Sequence, residues 1–312
     1  MDRIVDIATD DLHLSAYRGF LVVSFDRQEQ GRVALDDIQA IIVHAHGVTW
    51  TTSLVVALAE RGAIMVLCAA NHSPVAIISP IDGHHAQAAR MRAQWDAPRP
   101  MFKQLWQKIV VAKITMQASL LAAQGRVEAN VLLLMARRVR SGDPDNLEAQ
   151  AARKYWPALM GSGFRRDQSA DGANALLNYG YTVMRSCVAR SIIGAGLHPA
   201  IGLHHHNRLN GFALADDLIE PFRPLVDGLV RRMIDEGINT VTPEAKQRLA
   251  RLIGCDLRLA GIVSPVSVAT QRLAQSLARS FKERKSALAL FDPPDALGWA
   301  SLGQPMAIES CP

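Results

Sequence analysis

Three adjacent histidines in Gly202-Leu203-His204-His205-His206-Asn207 form the densest group of potential metal ligands or proton carriers in the chain. Neighbours on a helix are ~100° apart and neighbours on a strand face opposite ways, so one or two of the three can serve a single ion. No HExxH accompanies them, which weighs against a zinc hydrolase, and a surface or polar-core role stays open. Downstream lies Asp216-Asp217-Leu218-Ile219-Glu220-Pro221-Phe222-Arg223-Pro224. Glu220 precedes a proline, where the chain tends to leave the helical region, so its carboxylate can be aimed from a helix break into a cleft. Equally, Asp216 and Asp217 can cap a helix while Glu220 faces water. Glu148 opens a stretch in which Leu147, Ala151 and Tyr155 recur at i, i+4 and i+8 and can bury one stripe. An acid in a first helical turn ordinarily just complements the macrodipole. The following Gly161-Ser162-Gly163-Phe164-Arg165-Arg166 is either a phosphate-contacting loop or a solvated basic turn.

The elements that must position these groups fall into two vocabularies. The chain has 312 residues, 49% apolar and 20% charged, a globular balance with room for about two domains. Residues 1–80 hold five arginines and no lysine against nine acids, whereas residues 81–312 hold 29 bases against 20 acids. A basic portion suited to a polyanion is thus joined to an acidic one. From Arg3 to Pro80 the apolar runs are short and bounded by Gly, Asp, Asn or Pro, with one helical interruption from Thr52 to Arg61, so a small sandwich-like β-rich domain is expected. Residues 81–96 read as a linker. Residues 97–291 read as an all-α domain, giving an α+β chain overall. Helices are expected at Pro100–Ala123, Val127–Arg140, Asn146–Leu159, Ala173–Ile193, Ala215–Glu236, Pro243–Ile253 and Pro265–Ser286, the last with Ser264 as N-cap. Its Leu273, Leu277 and Phe281 make one apolar face, and Arg279, Lys282, Arg284 and Lys285 make it basic elsewhere, either solvated or tracking DNA phosphates. Residues 292–312, with Pro293-Pro294 and no periodicity, read as a poorly ordered tail.

Several classes drop out. No run of ~20 apolar residues exists to cross a bilayer, since Leu54 to Ala70 is broken by Glu60-Arg61-Gly62. Asp2 and Asp6 stand where a signal peptide needs a basic end and an apolar run. The four cysteines are scattered without CxxC, so a disulfide framework or thiolate zinc site is not expected, and reduced cytoplasm is.

Together, Gly202-Leu203-His204-His205 and the segment from Ala215 to Asp227 resemble the signature of the CRISPR-associated spacer-acquisition integrases, the metal-dependent endonuclease subunits of CRISPR adaptation complexes. Glu148-Ala149-Gln150-Ala151-Ala152-Arg153-Lys154-Tyr155-Trp156 resembles the family's Glu motif, and Asn174-Ala175-Leu176-Leu177-Asn178-Tyr179-Gly180-Tyr181 its Asn/Tyr-rich helix. The Glu-Pro-Phe-Arg-Pro form resembles members found beside type II systems. The resemblance implies that Glu148, His205 and Glu220 bind a divalent metal, with His204 and Asp217 as reserve ligands. Two carboxylates and an imidazole are a hard O/N set suited to Mg2+ or Mn2+. It also implies direct attack of a DNA 3′-hydroxyl on a repeat phosphate, without a covalent protein–DNA intermediate; Arg165, Arg166 and the last basic helix would support it. A homodimer formed through the N-terminal domain is implied, as is a small ferredoxin-like CRISPR partner. A nuclease acting on branched DNA and a non-catalytic DNA-binding scaffold are the rival readings.

Overall fold

The computed structural model describes residues 3–69, 74–81, 86–205, 207, 210–259 and 261–302. His206 and residues 303–312 of the expected tail lie outside them. Eight strands and one helix come first: β1 (Arg3–Ile7), β2 (Leu12–Tyr17), β3 (Phe20–Phe25), β4 (Gln28–Ala34), β5 (Ile38–Val43), β6 (Thr49–Trp50), α1 (Thr52–Glu60), β7 (Ile64–Cys68) and β8 (Pro74–Ile78). They build two four-stranded sheets, ordered β1-β5-β7-β8 and β4-β3-β2-β6. In the first, β5 pairs in parallel with β1 and β7, while β8 closes the edge antiparallel to β7.

The middle strand explains the arrangement. All six residues of β5, Ile38-Gln39-Ala40-Ile41-Ile42-Val43, are buried, as expected of a parallel strand covered on both faces. Ile41 and Val43 join Leu14, Leu21, Leu54 and Leu58 in a core between the sheets. Ala40 and Ile42, with Ile64 and Val66, face the helical core instead. Polar ties reinforce that second contact: His44 Nε2 lies 3.3 Å and Lys246 Nζ 3.7 Å from the Asp6 carboxylate, and the Cys187 thiol lies 3.4 Å from Gln39 Oε1.

The helical region comprises α2 (Gln87–Trp95), α3 (Arg99–Ala123), α4 (Glu128–Arg138), α5 (Leu147–Met160), α6 (Ala173–Gly194), α7 (Ala213–Leu218), a 3-10 turn (Glu220–Phe222), α8 (Arg223–Asp235), α9 (Pro243–Arg251), β9 (Asp256–Leu259), β10 (Ile262–Pro265), α10 (Val266–Glu283) and α11 (Ala296–Ser301). The two long helices, α3 and α6, are buried along most of their lengths and form the centre of the bundle. α3 begins after Pro98 with Pro100 in its first turn, where a missing N–H costs nothing.

Four expectations need correction. Residues 87–95 of the presumed linker form α2, whose Gln94 is fully buried. The expected tail is packed as far as Leu302: Asp295 caps α11, Trp299 is buried, and its carbonyl accepts from Arg232. The otherwise helical region carries the antiparallel hairpin of β9 and β10. Finally, Pro265 rather than Ser264 is the N-cap of α10, because Ser264 is already the third residue of β10.

Candidate active site

Glu148 stands at the second position of α5, and its approach is set by the turn before it. Asp143 and Asn146 take left-handed backbone conformations. The Asp143 carboxylate accepts from the N–H groups of Leu147 and Glu148 at 2.9 and 3.0 Å, and Asn146 accepts from Ala149. These acceptors satisfy donors that a helix start leaves free. Leu147, Ala151, Tyr155 and Leu159 bury the expected stripe, which turns Glu148 toward α3.

There it meets Lys113. The Lys113 ammonium is ion-paired to both Glu148 and Glu220, and Arg223 Nε lies 3.0 Å from the other Glu220 oxygen. The side chains of Lys113 and Glu220 are only 10% and 7% exposed, that of Glu148 29%. Two carboxylates and two cations leave the cluster formally neutral, the condition under which buried charges persist. Burial pushes the Glu220 carboxyl upward, yet Arg223 and Lys113 together hold it below the usual range. Burial likewise opposes the charge on Lys113, and Glu220 and Glu148 outweigh it, raising the ammonium.

Glu220 was expected at a helix break. The break is there, between the end of α7 at Leu218 and the start of α8 at Arg223, and it is a mild one: the chain keeps helical dihedrals at Ile219 and tightens into a 3-10 turn at Glu220–Phe222, with Pro221 and Phe222 buried. Proline lacks the N–H that a continuing helix would need, so the turn changes pitch without leaving the bundle.

His205 is supplied by the loop between α6 and α7. Asp217, fully buried in α7, accepts backbone N–H groups from Leu203, His204 and His205, and lies 2.6 Å from His205 Nδ1. Gly202 is required beneath it: a Cβ there would fall 2.6 Å from the His205 carbonyl oxygen and 2.8 Å from Asp217 Oδ2. The other end of the loop is tied by Asp216, which pairs with Arg185 at 2.6 Å and accepts from Asn210 at 2.7 Å. Neither aspartate caps a helix. His204 stacks on Trp106 of α3, ring centroids 4.4 Å apart and 4° from parallel.

An ionised carboxylate can only accept, so the neutral His205 ring carries its proton on Nδ1 and presents the Nε2 lone pair. The hydrogen bond to Asp217 raises the His205 pKa despite partial burial, and Glu220 adds to the effect. His205 and Glu220 therefore lie within electrostatic reach, and Glu148 is linked to Glu220 through Lys113. Among the described residues, no three of His, Cys, Asp or Glu stand close enough together to share an ion. The donor set nevertheless fits a hard divalent cation: two carboxylates already gathered about a positive charge, and an imidazole with one nitrogen committed elsewhere. The reserve candidates are both engaged, Asp217 by the loop and His204 by Trp106.

The basic candidates divide. Arg165 is exposed. Arg166 is not a free phosphate ligand: it donates to Asn174 Oδ1 at 3.0 Å and Asn178 Oδ1 at 2.5 Å and lies over the Tyr181 ring. Arg279, Lys282, Arg284 and Lys285 are exposed on the last turns of α10 and just beyond, while Leu273, Leu277 and Phe281 are buried as expected. Arg284 also donates to the Asp96 carbonyl at 2.7 Å.

Sequence reasoning missed Lys113, Arg223 and the buried triad in which Tyr155 and Tyr181 both donate to Asp227. Lys113 was detectable as a lone charge within Ile109-Val110-Val111-Ala112-Lys113-Ile114, since a lysine is rarely buried without a partner.

The family described as "CRISPR associated protein Cas1" matches residues 5–252. The CRISPR-associated endonuclease Cas1 of Neisseria meningitidis serogroup C is 40% identical over 228 residues, covering 72% of this chain and 75% of that protein. A CRISPR-associated endonuclease Cas1 of Pyrobaculum aerophilum is 26% identical over 290 residues, covering 88% and 97%. Among solved structures, a casposase bound to its integration product has the same fold, with a TM-score of 0.78 over 92% of this chain and 93% of that one at 19% identity. With its histidine loop, its 3-10 Glu turn and its Glu helix all inside the matched segment, this chain belongs to the CRISPR-associated Cas1 family.

Proposed function

We propose that the chain is a CRISPR adaptation integrase, a DNA endonuclease and transesterase that joins the 3′-hydroxyl ends of short duplexes to the CRISPR repeat. The observation that carries this is the convergence of Glu148 and Glu220 on one cationic position, with His205 held nearby by Asp217. Glu148, His205 and Glu220 would hold Mg2+ or Mn2+; Lys113 marks where positive charge is already favoured between the carboxylates. Such an ion, when bound, supplies polarisation of the phosphate and a lowered pKa for the attacking hydroxyl. Asp217 keeps the imidazole in one tautomer and orientation. Arg223 holds Glu220 ionised. The exposed Arg165, Arg279, Lys282, Arg284 and Lys285 offer charge to DNA phosphates.

In the joining step the 3′-oxygen bonds to phosphorus, the repeat strand's own P–O3′ bond breaks, and the departing 3′-oxygen gains a proton. Water in place of the hydroxyl gives hydrolysis. Partners are double-stranded DNA, a second copy of the chain, and a small ferredoxin-like CRISPR adaptation protein. A Cas6-RT-Cas1–Cas2 complex of the same fold, with a TM-score of 0.72 over 91% of this chain and 35% of that one, supports such an assembly. No helix among the described residues is long and apolar enough to cross a membrane, in keeping with work on DNA in the cytoplasm.

A supercoiled repeat plasmid, a short duplex with free 3′-hydroxyls and Mn2+ tests the reading. Joined product is expected from the parent and none from His205→Ala or Glu220→Ala. Equal joining by both variants overturns it.

A further inference from the structure

Asp227 of α8 is 1% exposed, and each of its carboxylate oxygens takes a tyrosine hydroxyl. Tyr155 of α5 donates to Oδ2 at 2.7 Å, and Tyr181 of α6 donates to Oδ1. Both rings are buried. A carboxylate deep in a core is costly, and packing alone would be served better by hydrocarbon. A fully satisfied buried network does what hydrocarbon does not: it fixes one arrangement of the elements that supply it. Here it joins three helices at one point.

Two of those helices belong to the site. Tyr155 follows Glu148 by seven residues, two turns of α5, which returns it to the same side of the helix roughly 10 Å further along. Asp227 likewise follows Glu220 by seven residues, past the 3-10 turn and into α8. The segments that carry the two carboxylates are therefore linked at two levels, through Lys113 at the acids and through Tyr155 and Asp227 further on. Lys113 cannot set their spacing alone, because an ammonium on a four-carbon stem is a mobile point charge. Tyr181 adds a second route. Its ring lies beneath Arg223, whose guanidinium carbon is 4.7 Å from the ring centroid, and Arg223 Nε lies 3.0 Å from Glu220 Oε1. The approach that brings Tyr181 to Asp227 depends on Gly180: a Cβ there would collide with Val226, the residue before Asp227.

We propose that Asp227 is a positioning residue: clamped by Tyr155 and Tyr181, it sets the separation of Glu148 and Glu220 at which both reach one divalent cation. It acts through α5 and Arg223 rather than by contact with the ion or the DNA. The clamp rests on the metal-binding part of the integrase reading.

Mn2+ alone is the first probe. It is titrated, without DNA, into the full-length parent, Tyr155→Phe, Tyr181→Phe and Asp227→Asn, and free Mn2+ is counted by electron paramagnetic resonance. Leu14→Ala, which opens a cavity in the core between the sheets, is the destabilised control. Each clamp variant should bind Mn2+ roughly 2- to 30-fold more weakly than the parent, and Leu14→Ala within about twofold of it. The Mn2+ concentration at half-maximal joining should rise by the same factor. Rates at saturating Mn2+ should return toward the parent rate, because all three ligands are present. Tyr181→Phe keeps the ring beneath Arg223, so its loss reports the hydroxyl alone. Parent-like Mn2+ affinity in Tyr155→Phe and Asp227→Asn overturns the clamp, as does an equal loss in Leu14→Ala. If Asp227→Asn fails to fold, the two tyrosine variants decide. A parent that binds Mn2+ yet joins no DNA refutes the integrase reading, and the affinities still decide the clamp. A parent that binds no Mn2+ overturns the clamp together with the metal site.

Discussion

Asp217 Oδ1 lies 2.6 Å from His205 Nδ1, and the same carboxylate gathers three consecutive backbone N–H groups of the loop that carries the histidine. One buried group thus fixes both the path of the loop and the tautomer of its ring. Outer partners of metal-binding histidines commonly contribute about 10- to 100-fold in metal affinity or activity. Asp217→Asn should lower Mn2+-dependent joining by that order. The proton is the competing ligand: the Asp217 hydrogen bond raises the His205 pKa above 6.5, so joining should decline with falling pH from a point above that value. In Asp217→Asn the decline should start at lower pH. Joining rates across pH 5.5–8.5 check both statements.

Lys113 is the counter-ion of two carboxylates. Lys113→Met leaves Glu148 and Glu220 facing each other with only Arg223 to compensate, and breaking a buried pair in this way costs roughly 3–5 kcal/mol. Metal-free Lys113→Met should therefore melt well below the parent. Added Mn2+ should raise the Tm of the variant more than that of the parent, because the ion would meet two uncompensated carboxylates. Thermal melts with and without Mn2+ measure the difference.

Arg165 and Arg166 are adjacent in sequence and opposite in use. Arg165→Ala should weaken duplex binding uniformly across sequences and reduce the salt dependence by about one phosphate contact, leaving stability near the parent value. Arg166→Ala should lower stability instead, by detaching the turn before α6 from Asn174 and Asn178. Binding isotherms at several salt concentrations, with urea unfolding of both variants, separate the two.

Asp227 gives a stability signature that depends on pH. Burial pushes its carboxyl up to about 6, against the lowering effect of the Tyr181 and Tyr155 hydroxyls. The folded protein therefore keeps a proton that the unfolded chain releases near pH 3.8. That contribution is full below about pH 3.8 and is lost as pH rises through about 6. Relative to Asp227→Asn, whose amide does not titrate, the parent should lose stability between pH 4 and pH 7. Urea unfolding of both proteins at several pH values in that window tests the sign.

What the sequence made legible follows apolar periodicity. The stripes of α5 and α10 and the strand-rich beginning all stood out because Leu, Val and Phe recur at the required spacing. α2 did not, since its one fully buried side chain is the polar Gln94, whose value lies in three hydrogen bonds to residues a hundred positions away. α11 hid behind Pro293-Pro294, yet it needs only the Asp295 cap and the Trp299 anchor. At the site, resemblance named Glu148, His205 and Glu220. The cations that hold the two carboxylates, and the aspartate that holds the imidazole, come from other elements. Their partnership exists only after the helices pack.

Successive side chains of β5 belong to different interiors, Ile41 to one and Ile42 to the other. A cut between residues 80 and 87 would therefore not yield two independent proteins. The helical fragment would show bare hydrocarbon where Ala40 and Ile42 had covered it, and the strand fragment would lose the lining of one whole face.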